Sequence, residues 1–174
     1  MRLFIGISLS EKTKTQLHTL QKELKPYLKT ASFTKKDNLH LTLKFLGDCS
    51  KEDKNRIIES LNSKTFVGPF SIDFINIDTF SNRKGKILWA GSKYNPSLQT
   101  LYSIVEETLS GLSFEKENRT YKAHITLARR IQWGEKRKRE IKKITEDISS
   151  FALFESVFTK RGVEYKELFR FYLR

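Results

Sequence analysis

Cysteine occurs once, at Cys49, which excludes a disulfide framework, and no Cys/His group has the spacing of a zinc site. Three prolines and eight glycines are too few for a linker, so the 174 residues are expected to form one domain. No apolar run approaches the roughly 20 residues of a membrane span. The opening run Leu3–Leu9 alternates like a strand and lacks a small-residue cleavage site, which argues against a signal peptide. Acidic residues are in deficit, with 20 Asp+Glu against 33 Lys+Arg, a net charge of +13 and a pI near 9.8. That balance favours a polyanionic or phosphorylated partner. Apolar residues, with 13 Phe among them, suffice for a buried core. The expectation is a monomer of the reducing cytoplasm, without membrane attachment.

Hydrophobic periodicity divides the chain into alternating elements. Leu3–Leu9 reads as a strand, followed by a helix from Ser10 to about Tyr27 with Leu17, Leu20 and Leu24 on one face. Leu39–Phe45 alternates strictly, and Ser50 with Asp53 is a capping box for a helix carrying Ile57, Ile58 and Leu61. Phe70–Ile77 and Lys86–Ala90 read as a hairpin, and Pro96–Leu109 as a helix. Ala123–Ala128 is another strand. Glu135–Ile148 is expected to be helical, with Ile141, Ile144 and Ile148 as its buried stripe. Phe151–Thr159 and Val163–Leu173 close the chain as a hairpin around Arg161-Gly162. Hairpin-like strand neighbours with four helices favour an α+β fold over a doubly wound parallel sheet.

Two of the three histidines share a local pattern. His40-Leu41-Thr42-Leu43 recurs as His124-Ile125-Thr126-Leu127. On a strand, residues i and i+2 point to one face, so each His shares a face with its Thr while the aliphatic residues turn to a core. Two such strands side by side present two imidazoles and two hydroxyls across one cleft. Imidazole titrates near neutral pH, so one ring can act as base while the other acts as acid. Threonine hydroxyls can donate to phosphate oxygens. Such a site can break a P–O bond with neither metal nor cofactor.

The segment Asn38–Asp48 resembles the first motif of the two-histidine phosphoesterases. Within them it is most similar to the bacterial and archaeal RNA 2',3'-cyclic phosphodiesterases, historically called 2'-5' RNA ligases. Arg2–Ile7 matches their opening strand, Leu88-Trp89-Ala90-Gly91 their middle strand and Tyr121–Arg129 their second motif. The ending, with Ser156, Gly162, Tyr165 and Leu168, also fits. Ala123 departs from the proline that many members carry there, which bears on backbone stiffness before His124. The resemblance implies a bilobal fold of two sheets around a V-shaped cleft, with helices outside and one His-x-Thr motif from each pseudo-symmetric lobe. It implies hydrolysis of terminal 2',3'-cyclic phosphates, on RNA ends or cyclic nucleotides, to 2'-phosphates. His124 would be the base, His40 the acid, and Thr42 and Thr126 the holders of phosphate oxygens.

Phe45 and Arg129 each lie five residues after a motif histidine, where the resemblance implies a pair that sandwiches the terminal base. Strict alternation puts an offset of five on the opposite face, so this role requires the strands to bend, bulge or end. By the same alternation Arg130 shares the face of His124 and could add a phosphate contact. Tyr121 and Tyr165 could line the cleft or simply pack, and His18 is expected at the surface beside Lys14 and Lys22. The segment Arg129–Lys143 carries eight Lys/Arg against two Glu. It is either a solvated face or an RNA track toward the cleft. The competing functions are RNA ligation by the same residues run in reverse, and a non-catalytic basic RNA-binding module.

Overall fold

The computed structural model describes residues 1–174 and shows three α-helices and two antiparallel sheets. In chain order the elements are β1 (Arg2–Ser8), α1 (Glu11–Leu24), β2 (Leu28–Phe33), β3 (His40–Asp48), α2 (Lys51–Asn62), β4 (Phe70–Asn82) and β5 (Gly85–Ser92). They continue with α3 (Pro96–Ser110), β6 (His124–Trp133), β7 (Glu140–Ile148), β8 (Ser150–Thr159) and β9 (Gly162–Tyr172). One sheet has the order β3-β1-β8-β9 and the other β2-β6-β5-β4-β7. The expected α+β class is what the chain adopts. No helix is long and apolar enough to cross a membrane.

The helices begin where the caps place them. Ser10 accepts from the Thr13 amide at the start of α1, Ser50 and Asp53 complete a capping box on α2, and Asn95 caps α3 ahead of Pro96. Their leucine stripes (Leu17, Leu20 and Leu24; Ile57 and Leu61; Leu98, Leu101, Val105 and Leu109) enter one continuous core. That core also takes Leu3, Ile5 and Ile7 of β1, Leu41 and Leu43 of β3, and Ile125 and Leu127 of β6. One face of each sheet is thereby covered. The two histidine strands belong to different sheets, and β3 packs against β6.

The helix expected over Glu135–Ile148 is instead a loop through Arg139 followed by the strand β7, which pairs with β4 through Phe70↔Ile148, Ile72↔Glu146 and Phe74↔Ile144. The buried residues are Ile144, Glu146 and Ile148, a period of two, whereas Ile141 is only half-buried. Glu146 conceals that period because a carboxylate reads as solvent-facing. Its carboxylate is buried at the N-terminus of α1, accepting from the Ser10 amide at 2.7 Å, the Ser10 hydroxyl at 2.9 Å and the Thr13 hydroxyl. Three donors and the positive helix end compensate for its lost hydration. β2 is a further strand that the hydrophobic pattern does not announce. It is a partly exposed sheet edge with Lys29 at its surface.

Candidate active site

β1 and β5 hold the histidine strands, and their registers decide which side chains share a face. Along β1, Ser8, Gly6 and Phe4 alternate onto one face and pair with His40, Thr42 and Phe45. Leu43 is left over between Thr42 and Lys44, so a bulge restores Phe45 to the side of His40. The phenyl ring of Phe4 lies 5.0 Å from the His40 ring and 6.1 Å from the Phe45 ring, and Phe45 is 73% exposed. β5 repeats the arrangement. Gly91, Trp89 and Ile87 alternate onto one face and pair with His124, Thr126 and Arg129, with Leu127 the extra residue. Each strand thus bulges at the third residue after its histidine. Phe45 and Arg129 therefore lie on the same faces as the two imidazoles.

Arg130 does not follow the expected alternation. It is the extra residue of a second bulge, between the pairs Ile87↔Arg129 and Lys86↔Ile131, and its φ of 51° is in the left-handed region. Gly85, itself at φ 117°, lies opposite, where a Cβ would be 3.5 Å from the Arg130 Cα. The alternation that aligned Arg130 with His124 is broken at Leu127 and again at Arg130 itself.

The two imidazoles are held in the same way. His40 Nδ1 is 2.7 Å from the Asn38 carbonyl, and His124 Nδ1 is 2.7 Å from the Lys122 carbonyl. A carbonyl can only accept, so both neutral rings carry their proton on Nδ1 and leave Nε2 as a bare lone pair. His40 Nε2 takes a hydrogen bond from the Thr42 hydroxyl at 2.9 Å. Each ring also rests against two aromatics. Phe4 and Tyr165 (4.8 Å) flank His40, while Phe80 (4.9 Å) and Trp89 (5.9 Å) flank His124.

Burial is the main cause that lowers the pKa of both histidines below the usual 6.5. The carbonyl contacts oppose it, and the Arg129 guanidinium lowers both further. His40 is also lowered by His124 and Lys14. Arg129 is therefore near enough to act on both rings.

Several site features escape a reading of the His-x-Thr motifs alone. Phe80 braces His124 although its strand reads only as half of a hairpin. Glycine makes room for the bracing ring on each side. A Cβ on Gly6 would sit 3.3 Å from the Phe4 ring, and one on Gly91 would sit 2.5 Å from the Trp89 ring. The duplicated aromatic-x-Gly spacing of Phe4-Ile5-Gly6 and Trp89-Ala90-Gly91 is the signal that could have found them. Lys44 is turned inward by the first bulge and is buried, 2.8 Å from the Glu106 carboxylate and 2.7 Å from the Glu115 carbonyl. Tyr121 stacks on Tyr102 at 4.2 Å and donates to the Thr42 carbonyl at 3.1 Å, tying the approach to His124 to the His40 strand. His18 lies on α1, half-buried, 3.2 Å from the Gln21 side chain.

Comparison with known proteins matches residues 7–89 to the family described as LigT like Phosphoesterase. The chain is 33% identical over 175 residues to the Methanocaldococcus jannaschii protein named RNA 2',3'-cyclic phosphodiesterase, covering 95% of this chain and 97% of that one. An Archaeoglobus fulgidus protein of the same name is 32% identical, with 97% and 98% covered. Among solved structures, TT0787 of Thermus thermophilus superposes with a TM-score of 0.85 at 24% identity, covering 100% of this chain and 98% of that one. The apo form of E. coli LigT superposes with a TM-score of 0.84 at 25% identity, covering 99% and 96%. With relatives this similar over nearly their whole length, the chain belongs to the LigT-like phosphoesterase family.

Proposed function

We propose that this protein hydrolyses terminal 2',3'-cyclic phosphates of RNA to 2'-phosphates, with His40 and His124 as acid and base and without metal or cofactor. The observation that carries the reading is the duplicated imidazole, each ring pinned through Nδ1 to the carbonyl two residues upstream so that Nε2 is the working atom. The full-length relatives named RNA 2',3'-cyclic phosphodiesterase support the substrate class.

In this mechanism His124 Nε2 takes a proton from water as the water oxygen attacks phosphorus. The bond from phosphorus to the 3'-oxygen breaks, and His40, entering as imidazolium, gives its Nε2 proton to that oxygen. His124 leaves protonated and His40 neutral, and exchange with solvent resets the pair. Thr42, whose hydroxyl otherwise donates to His40, and Thr126 hold the non-bridging oxygens. Phe45 and Arg129 take the terminal base between a ring and a guanidinium. The repeated bulges, carbonyl ties and aromatic braces support two pseudo-symmetric lobes with one half-site each. Ring strain in the cyclic ester favours its opening, and ligation is the same opening with the 5'-hydroxyl of a second strand attacking phosphorus in place of water while the 3'-oxygen leaves. A monomer in the reducing cytoplasm fits the lone, buried Cys49 thiol.

Phosphorus NMR on a short RNA ending in a 2',3'-cyclic phosphate, with chelator present, tests the reaction. The expected product is the 2'-phosphate, at an undiminished rate. A 3'-phosphate product would reverse which oxygen leaves, and loss of turnover with chelator would overturn the metal-free mechanism.

A further inference from the structure

Beyond Arg129, at the end of the five-stranded sheet that carries the β4–β5 turn, lies a basic groove. The open face contributes Thr30 and Gln132 to it, while Lys86, paired with the buried Ile131, reaches it from the covered side. Ser32 pairs with Arg129 and Thr30 with Gln132, and residues paired directly across a ladder project to the same side. Thr30, Ser32 and Gln132 therefore extend the face that carries His124, Thr126 and Arg129. The groove there has a volume of about 510 Å³ and is lined by Thr30, Lys84, Lys86, Arg130, Trp133 and Arg137 among others. Four of those side chains are cationic, and no carboxylate lines the groove. None of the four makes an ion pair within the protein. Four cations without internal counter-charges repel one another, and an incoming polyanion would relieve that repulsion. Arg130 is held at the groove by a left-handed backbone, a conformation that costs a non-glycine residue energy and accumulates at functional sites. Trp133 lines the groove with one part of its side chain packed against the core and the rest exposed, and a base entering the groove can stack on that exposed part.

We propose that this groove binds the backbone of single-stranded RNA upstream of the reacting end, so that the preferred substrate is an oligonucleotide and not a cyclic mononucleotide. The inference rests on the hydrolytic reading above. Arg130 lies six positions along β6 from His124, on the order of 20 Å. Only a substrate several nucleotides long would reach both. Cations, hydroxyl and ring in one concave tract suit a nucleic acid strand better than an acidic peptide, which has no use for a stacking surface.

The test is a triple variant, Lys84→Gln with Lys86→Gln and Arg137→Gln, all at exposed positions. It is compared with wild type on 2',3'-cyclic AMP and on an eight-nucleotide RNA ending in a 2',3'-cyclic phosphate. The expected result is a loss of about tenfold or more in kcat/KM for the RNA at low salt, with cyclic AMP turnover unchanged. The slope of log affinity against log salt should flatten by about 2, at roughly 0.7 per phosphate contact on a single strand. Equal loss on both substrates, or loss on neither, would overturn the groove. If wild type turned over neither substrate, the hydrolytic reading would fail. The salt slope for binding the RNA would then decide the groove alone, an unchanged slope rejecting it.

Discussion

An imidazole whose Nδ1–H is held by a backbone carbonyl exchanges protons only through Nε2, and both cleft histidines are so held. The identity of these two residues was legible in the repeated His-x-Thr spacing. Their tautomer was not, because it depends on which carbonyl each ring meets. Burial lowers both pKa values, so in the free protein the neutral form of each ring is favoured at pH 7 more than in a free imidazole. The catalytic form, with one proton on the pair, is then commonest on the acid side of 6.5. kcat/KM, which reports the free enzyme, should peak below pH 6.5. The upper limb of kcat should lie at higher pH, because a bound phosphodiester anion favours the imidazolium. A pH–rate series on the cyclic-phosphate RNA measures both, and a kcat/KM maximum at pH 7 or above would contradict the assignment. The same shifts act on stability. The unfolded chain gains a proton at each histidine before the folded one does, so stability is full above about 6.5 and declines as pH falls through the lowered folded values.

A bulge at the third residue after each histidine turns two plain strands into half-sites. Nothing in Leu43-Lys44 or Leu127-Ala128 announces a bulge, since two adjacent residues can both face inward for many reasons. Alternation alone therefore pointed Phe45 and Arg129 away from the histidines. The structure shows how the irregularity is supported. The Leu127 carbonyl accepts from the Thr34 amide at 2.9 Å and from the buried Gln21 side chain at 2.8 Å. Lys44, turned inward, pairs with Glu106 of α3, which also accepts from the Glu117 amide at 3.1 Å. The pair thus fastens the His40 strand to the segment that leads to His124. Glu106→Ala should cost about 3–5 kcal/mol by leaving a buried ammonium without its carboxylate. Lys44→Met with Glu106→Leu should cost less than that single change. Thermal or urea unfolding of the two variants checks the order, and the reverse order would contradict a buried charge as the source of the loss. β7 was illegible for a related reason, because Glu146 is an inward-facing carboxylate whose partners on α1 are remote in sequence.

Across the whole molecule, two sheets share one core on their covered faces and bring a histidine strand from each into contact. The α+β class, the three capped helices and most strands followed from periodicity and caps. What the sequence alone could not supply was sheet order, since pairing between distant strands leaves no local signal. The excess positive charge gathers partly in the groove beyond Arg129, where the basic segment is a loop and strands instead of a helix face. The central claim is that the two imidazoles form one catalytic unit. Single-turnover rates of wild type, His40→Ala, His124→Ala and the double variant on cyclic-phosphate RNA test it most directly, with RNA affinity measured alongside. Each single variant should lose about 100-fold or more, the double variant hardly more than either single, and affinity little in any of them. Losses that multiply in the double variant, or turnover that survives either substitution, would contradict an acid–base pair.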